Sequence, residues 1–310
     1  MWSAISFYEK KPLEKVPDNF KEICDKTIRK DVLAVRTKIN NDKNAIAYLK
    51  KNLSNFLEKK DIKEIKKSIP DYYEQNRTKD LWINVGEYSD IAGIDHITNF
   101  LAEVMKWVQE DNGLKFSFRT KCAELENLFT FPANDRIKIT MNLNTQTAID
   151  KYELGASSLD DRVRSINRII KAGGFVVQLA IEPIIKYKNY ETEYTNLVGR
   201  IINEIDMSKV RSIKFGTVRY KSGLITTIQK NIPGTDLFNK NQNLVEPAKG
   251  DKRWRYSEEE RIKIYTSIIN KFGKKYKSKL GLAAEDPSIW DAVGLNKEAI
   301  HDDIVYQYKK

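Results

Sequence analysis

Apolar positions along this chain alternate between two rhythms. Short runs carry the composition of β-strands: "DVLAV" (Asp31–Val35), "LWINVG" (Leu81–Gly86), "KFSFRT" (Lys115–Thr120), "RIKITMNL" (Arg136–Leu143), "FVVQLAIEPI" (Phe175–Ile184) and "VRSIKFGTV" (Val210–Val218). Between them, apolar residues recur at three- and four-residue spacing. Asn41–Lys59 predicts an amphipathic helix capped by Asn41 or Asp42. Ile97–Val108 predicts a second, with apolar residues at 97, 100, 101, 104, 105 and 108. Ser158–Lys171 opens on "SLDD" and closes on Gly173-Gly174, the signals of a capped start and a glycine stop. Glu191–Ile205 is a further helix.

Strands that alternate with helices at this spacing predict parallel βα units. Six such units predict an α/β fold, a partial (β/α)6 TIM-like barrel rather than a closed eight-stranded one. The expected organisation is an N-terminal helical extension over 1–30, the barrel over 31–224 and a helical and strand cap over 225–310. In the cap, a polar connection (Asn239–Lys252) precedes a helix at Ser257–Phe272. "KSKLGLAAEDPSIW" then closes as a short strand, a turn and a Trp anchor.

Composition narrows the function classes. Hydrophobic residues make up 41% of the 310, a globular share, while runs such as "FVVQLAI" are too short to span a bilayer. The opening "MWSAISFYEKKPLEK" turns polar early, so no membrane partner and a cytoplasmic location are expected. Lysine and arginine number 54 against 43 acids, a net +11 that fits a nucleic-acid partner and equally fits a lysine-rich solvated surface. The first 80 residues hold 19 basic and 13 acidic side chains, Lys50 and Lys51 among them, so over half of the excess lies there. Cys24 and Cys122 are the cysteines, and His96 and His301 the histidines. That excludes a disulfide scaffold and a four-cysteine zinc site.

Parallel α/β folds place their chemistry at the carboxyl ends of the strands. "GEYSD" brings Glu87 and Asp90 there, "TKC" brings Lys121, and "NLN" brings Asn142 and Asn144 on one face. Glu182-Pro183 and Arg219-Tyr220 follow the last two strands. Each alone reads as a solvated loop end. Together they suit a zwitterionic or phosphate-bearing ligand. His96, beside Asp95, reads as a helix-start residue, and Cys122 as a small semi-buried one. "DKRWRY" sets Arg253, Trp254, Arg255 and Tyr256 side by side, a mixture that can stack bases and hold phosphates or can plug the barrel.

From about Leu81 to Trp290 the chain resembles the spore photoproduct lyase family of radical S-adenosylmethionine proteins. The resemblance is carried by collinear pieces: "VGEYSDIAGIDHIT", "FRTKC", "ITMNLNTQTAIDKYELGASSLDDRV", "KAGG", "IEPI", "IKFGTVRY", "DKRWRYSEEERIKIY" and "AAEDPSIW". It implies a partial barrel of the radical S-adenosylmethionine type, whose strand ends hold that cofactor beside a [4Fe–4S] cluster. Glu87, Ser89 and Asp90 would lie by the cofactor's amino group and ribose, with Lys121, Asn142 and Asn144 lining the same pocket. The family position matching Glu87 is the hydrogen-donating cysteine of the lyase, which argues against repair of spore photoproduct here.

The family's C-x3-C-x2-C loop would follow "DVLAV". In register, its three thiolates are replaced by Asn40, Asn44 and Ala47, with Tyr48 after them. No cysteine lies between Cys24 and Cys122, so this loop cannot hold such a cluster and none is expected. Two functions follow as expectations. One is a cluster-less, non-catalytic subunit that binds nucleic acid or a protein partner. The other is an enzyme that binds S-adenosylmethionine or a nucleotide and works by polar chemistry such as methyl transfer.

Overall fold

The computed structural model describes residues 80–85, 90–93, 95–110, 115–231, 234–238, 244–245, 253–296 and 303–306. The strand expected at Asp31–Val35, the helix at Asn41–Lys59 and the extension before them lie outside the described residues.

A parallel sheet organises the rest. Its strands are β1 (Asp80–Val85), β2 (Phe116–Thr120), β3 (Ile137–Leu143), β4 (Val176–Ile184) and β5 (Val210–Thr217). Three short strands follow, β6 (Arg219–Lys221), β7 (Leu244–Val245) and β8 (Arg253–Tyr256), and then β9 (Leu280–Leu282) and β10 (Asp303–Tyr306). The order across the sheet is β10-β1-β2-β3-β4-β5-β9, every pairing parallel. The region expected as a cap thus returns two edge strands to the barrel sheet. Strands β6, β8 and β7 form a separate antiparallel ribbon.

Eight helices link the described strands: α1 (Asp95–Thr98), α2 (Phe100–Glu110), α3 (Gln146–Tyr152), α4 (Leu159–Ala172), α5 (Tyr190–Glu204), α6 (Ser222–Asn231), α7 (Glu258–Phe272) and α8 (Pro287–Ala292). Helix α4 shows why the local sequence folds as it does. The Ser158 hydroxyl accepts from the Asp161 N–H, two acids occupy the first turn, and Gly173 ends the helix at φ 69°. Leu159, Val163, Ile166 and Ile169 then face the sheet at helical spacing. Helix α7 repeats the device, with the Ser257 hydroxyl accepting from the Glu260 N–H and Gly273 at its end.

One expected helix is broken. Ile97–Val108 divides at Asn99, whose φ of 49° is left-handed. The Asp95 carboxylate accepts from the Leu101 N–H at 2.8 Å and so caps α2. An aspartate six residues before Leu101 wins over continuous helix because it satisfies an otherwise orphaned N–H.

Register separates the two faces of the sheet. Phe116, Phe118, Ile137, Ile139, Met141, Leu143, Val177, Leu179, Ile181, Ile213 and Phe215 point to the helices and are buried. The opposite, lumenal face is polar and layered. Ser117 lies level with Lys138; Arg119 with Thr140, Gln178 and Ser212; Asn142 with Ala180, Lys214 and Gly281. Glu182 stands above, at the mouth. Trp290 is buried in α8, the anchor expected at the end of the cap.

Candidate functional site

Four polar side chains from separate elements meet beneath the mouth. Glu153, just after α3, is fully buried; its carboxylate accepts from Lys121 Nζ at 2.9 Å and from Arg162 at 2.7 Å. The Asn144 amide donates to the same carboxylate at 3.0 Å and to the Pro183 carbonyl at 3.0 Å. Its oxygen accepts from the Thr145 N–H and the Tyr194 hydroxyl. Arg162 further donates to the carbonyls of Ser157 and Asn142. Burial opposes the charge on Glu153, but Lys121, Arg162 and the Asn144 amide outweigh it and hold the acid at about 2.

Glu182 forms a second centre. One carboxylate oxygen accepts from Arg119 at 2.5 Å and the other from Arg219 at 2.7 Å. Burial again opposes ionisation, and the two guanidinium groups bring the acid down to about 2. Arg219 also donates to the Ala283 carbonyl at 2.9 Å and lies against Gly216, where a Cβ would sit 3.2 Å from its guanidinium. Beside it, Glu285 is raised by burial, against the pull of Tyr265, Arg261 and Arg255. Arg261 Nε approaches Glu285 to 3.4 Å without hydrogen-bond alignment, so the pair is held by charge alone.

Among the residues expected at the site, the structure draws Asp90, Lys121, Asn142, Asn144, Glu182 and Arg219 to the carboxyl ends of the strands. Glu87 and Ser89 lie outside the described residues, as do Asn40, Asn44, Ala47, Lys50 and Lys51. Asp90 closes its own turn: its carboxylate accepts from the N–H groups of Ala92, Gly93 and Lys121 and from the Thr120 hydroxyl at 2.8 Å. A carboxylate so engaged has little capacity left for a ligand's ammonium group. The sequence reading missed Arg119, Glu153 and Arg162. Arg162 carried a signal, since it occupies the core-facing phase of α4 between Leu159 and Val163.

The "DKRWRY" segment becomes β8. Pairing with β6 sets Arg219 opposite Arg255, Tyr220 opposite Trp254, and Lys221 opposite Arg253. One face of the ribbon therefore holds four cations; the other packs Tyr220, Trp254 and Tyr256 toward the core. Tyr256 is fully buried and its hydroxyl accepts from the Lys186 N–H at 2.8 Å, so its ring is not open to a base. Arg255 pairs with Glu285 and Asp286, while Lys221 and Arg253 are exposed.

The arrangement defines an α/β partial barrel of the radical S-adenosylmethionine type. A family model described as spore photoproduct lyase matches residues 47–280, and the chain belongs to that family. The spore photoproduct lyase of Bacillus subtilis (strain 168) is 28% identical over 154 residues, 48% of this chain and 44% of that protein. The Clostridium acetobutylicum lyase is 26% identical over 169 residues, 53% of this chain and 49% of the other. The match thus spans about half the length of these relatives. A spore photoproduct lyase double mutant with bound AdoMet and dinucleoside spore photoproduct superposes with a TM-score of 0.58 at 19% identity, over 69% of this chain and 63% of that one. Spore photoproduct lyase complexed with dinucleoside spore photoproduct gives 0.57 at 18% identity, with the same coverage.

The family's two groups fit this chain unequally. A [4Fe–4S] cluster needs three thiolates, and this sequence contains Cys24 and Cys122, two in all. Cys122 is spent locally, its thiol donating to the Glu124 carbonyl at 3.6 Å. The donor set does not fit the cluster. For S-adenosylmethionine, Glu153, Glu182 and Asp90 are each engaged by neighbouring groups of the chain, so these three acids, among the described residues, are paired rather than open.

Proposed function

We propose that this protein is a non-catalytic member of its family that binds nucleic acid through the rim of the barrel, as a subunit in its own right or within an assembly. The observation that carries this reading is the cationic face of the ribbon, where Lys221 and Arg253 are exposed beside the ion-paired Arg219 and Arg255, next to a mouth whose chain lacks ligands for the cluster. Alternating cations on a β-ribbon present their charges on one side at a spacing near 7 Å, about that of successive phosphates along one strand of nucleic acid. Two solved spore photoproduct lyases hold a dinucleoside spore photoproduct, which supports a nucleic-acid partner here by analogy.

The test is fluorescence anisotropy with a labelled single-stranded and a duplex 20-residue DNA across a salt series. Lys221→Glu with Arg253→Glu is expected to weaken binding about tenfold or more and to reduce the slope of affinity against salt by roughly the charges removed. Equal affinity in the variant, or no binding by the parent at low salt, overturns the reading. The alternative, a cofactor- or nucleotide-binding enzyme working by polar chemistry, draws support from the polar lumen. Calorimetry with S-adenosylmethionine tests it, and the absence of heat at high ligand concentration retires it.

A further inference from the structure

A groove of about 120 Å³ runs between α5 and α7, on the helical outside of the barrel. Its floor is apolar, for Tyr194, Ile264 and Ile268 line it and all three are buried. Its rim is polar. Glu191 and Lys263 form an exposed ion pair there at 3.1 Å, and the Tyr190 hydroxyl donates to Glu191 at 3.2 Å. Thr195 and Ser267 supply one hydroxyl from each helix. The Thr195 hydroxyl spends its proton on the Glu191 carbonyl at 2.8 Å and keeps its acceptor capacity.

These surroundings select a ligand by size and by charge. A cavity of about 150 Å³ lined by apolar side chains accepts a molecule the size of benzene, so the groove has room for one small ring. Two tyrosines and two isoleucines offer that ring apolar contact. The rim acid and the rim lysine neutralise each other, so neither an anion nor a cation finds an unmatched charge there. A hydroxyl on the ring, by contrast, meets the hydroxyl groups of Thr195 and Ser267. Position gives the groove a link to the mouth. The Tyr194 hydroxyl donates to Asn144 at 2.7 Å and accepts from the Ile185 N–H at 3.0 Å, just past the ends of β3 and β4. Asn144 in turn donates to Glu153 at 3.0 Å. One side chain thus joins the groove floor to the buried centre beneath the mouth.

We propose that the groove between α5 and α7 binds a small neutral molecule, a single six-membered ring carrying a hydroxyl group, and that Tyr194 transmits its occupancy to Asn144. The site is separate from the cationic face of the ribbon, and it does not require that nucleic acid bind there.

The experiment is an NMR titration of the isotope-labelled full chain with benzyl alcohol, and with benzoate and benzylamine as the ring-matched anion and cation. Benzyl alcohol should saturate with a Kd on the order of millimolar, and each charged probe should bind about tenfold more weakly or worse. Ser267→Phe and Thr195→Phe fill the groove from opposite helices and should each weaken benzyl alcohol about tenfold or more. Ser267 is exposed, so its variant keeps the fold and decides the matter if the other does not fold. Saturation should also shift the side-chain amide signal of Asn144. Tyr194→Phe keeps the ring on the groove floor but removes the hydroxyl, so binding should persist and that shift should vanish. No saturable binding, equal binding of all three probes, or undiminished binding in the filled variants overturns the site. An Asn144 signal that never moves, or that moves equally in Tyr194→Phe, overturns the transmission. Lys221→Glu with Arg253→Glu should leave benzyl alcohol binding unchanged, so loss of DNA binding in that variant bears on the ribbon alone.

Discussion

Arg162 donates to Glu153 at 2.7 Å with both side chains wholly removed from solvent, and Lys121 reaches the same carboxylate at 2.9 Å. Three elements, the end of β2, the loop after α3, and α4, are joined through one acid. Glu153→Gln would leave two cations facing a neutral amide. Breaking a buried pair from one side costs about 3–5 kcal/mol, so chemical denaturation should show a loss of that order. Arg164→Ala, which removes an exposed partner of Asp161, should change stability by less than about 1 kcal/mol. Equal effects at the two sites would refute the ranking.

Acid should weaken the fold through the same groups. Glu153 and Glu182 are both lowered from 4.5 to about 2 in the folded chain. Between those values the unfolded chain holds the extra protons, so the stabilisation is complete above pH 4.5 and drains as pH falls toward 2. Glu153 should dominate, because Arg119 beside Glu182 is partly solvated, with 42% of its side chain exposed. Unfolding midpoints measured from pH 6 to pH 2 should fall steeply below 4.5, and the Glu153→Gln profile should be flatter.

The break between α1 and α2 depends on Asn99 at φ 49°. A β-branched residue resists that conformation, so Asn99→Val should destabilise by about 1–2 kcal/mol. Asn99→Gly should cost less, losing chiefly the bond from the Asn127 amide at 3.0 Å. Parallel urea titrations of the two variants would distinguish backbone strain from the lost bond.

Over half of the net charge lies in the first 80 residues, around Lys50 and Lys51. If that region shares the polyanion, replacing Lys50, Lys51, Lys59 and Lys60 by Glu should weaken DNA binding and flatten its dependence on salt. Unchanged affinity would mark these lysines as a solvated surface.

Anaerobic incubation with iron and sulfide should leave the protein colourless, since two cysteines cannot supply three thiolates. Broad visible absorbance with bound iron and sulfide would contradict this.

Much of the barrel was legible because burial leaves a periodic trace. Strand β4 and helix α4 fall within a residue or two of the positions their apolar rhythm and caps indicate. The α1–α2 break was less visible, because apolar spacing continues across Asn99 while the decisive bond comes from Asp95. Sequence also brought Asn142, Asn144, Glu182 and Arg219 to one end of the sheet. It could not show that Glu153 sits among Lys121, Asn144 and Arg162, since those contacts join elements distant in the chain. The cations and aromatics of β8 look like one cluster in sequence, yet a period of two sends them to opposite faces. The polar lumen was there to be read, in the alternation of Lys138, Thr140 and Asn142 along β3 and of Gln178 and Glu182 along β4.

Glu182 lies on β4, Arg119 on β2 with β3 between them, and Arg219 just beyond β5. In a flat sheet, β2 and β4 would stand about 10 Å apart, a gap that a glutamate and an arginine close most readily when the sheet bends toward them. The carboxylate thus acts as a tie across a bow, setting how tightly the open barrel is drawn. Cutting it with Glu182→Gln would change more than a charge: the arc would be free to widen, and amide hydrogens along β2 and β5 would exchange faster even where no bond of theirs had been touched.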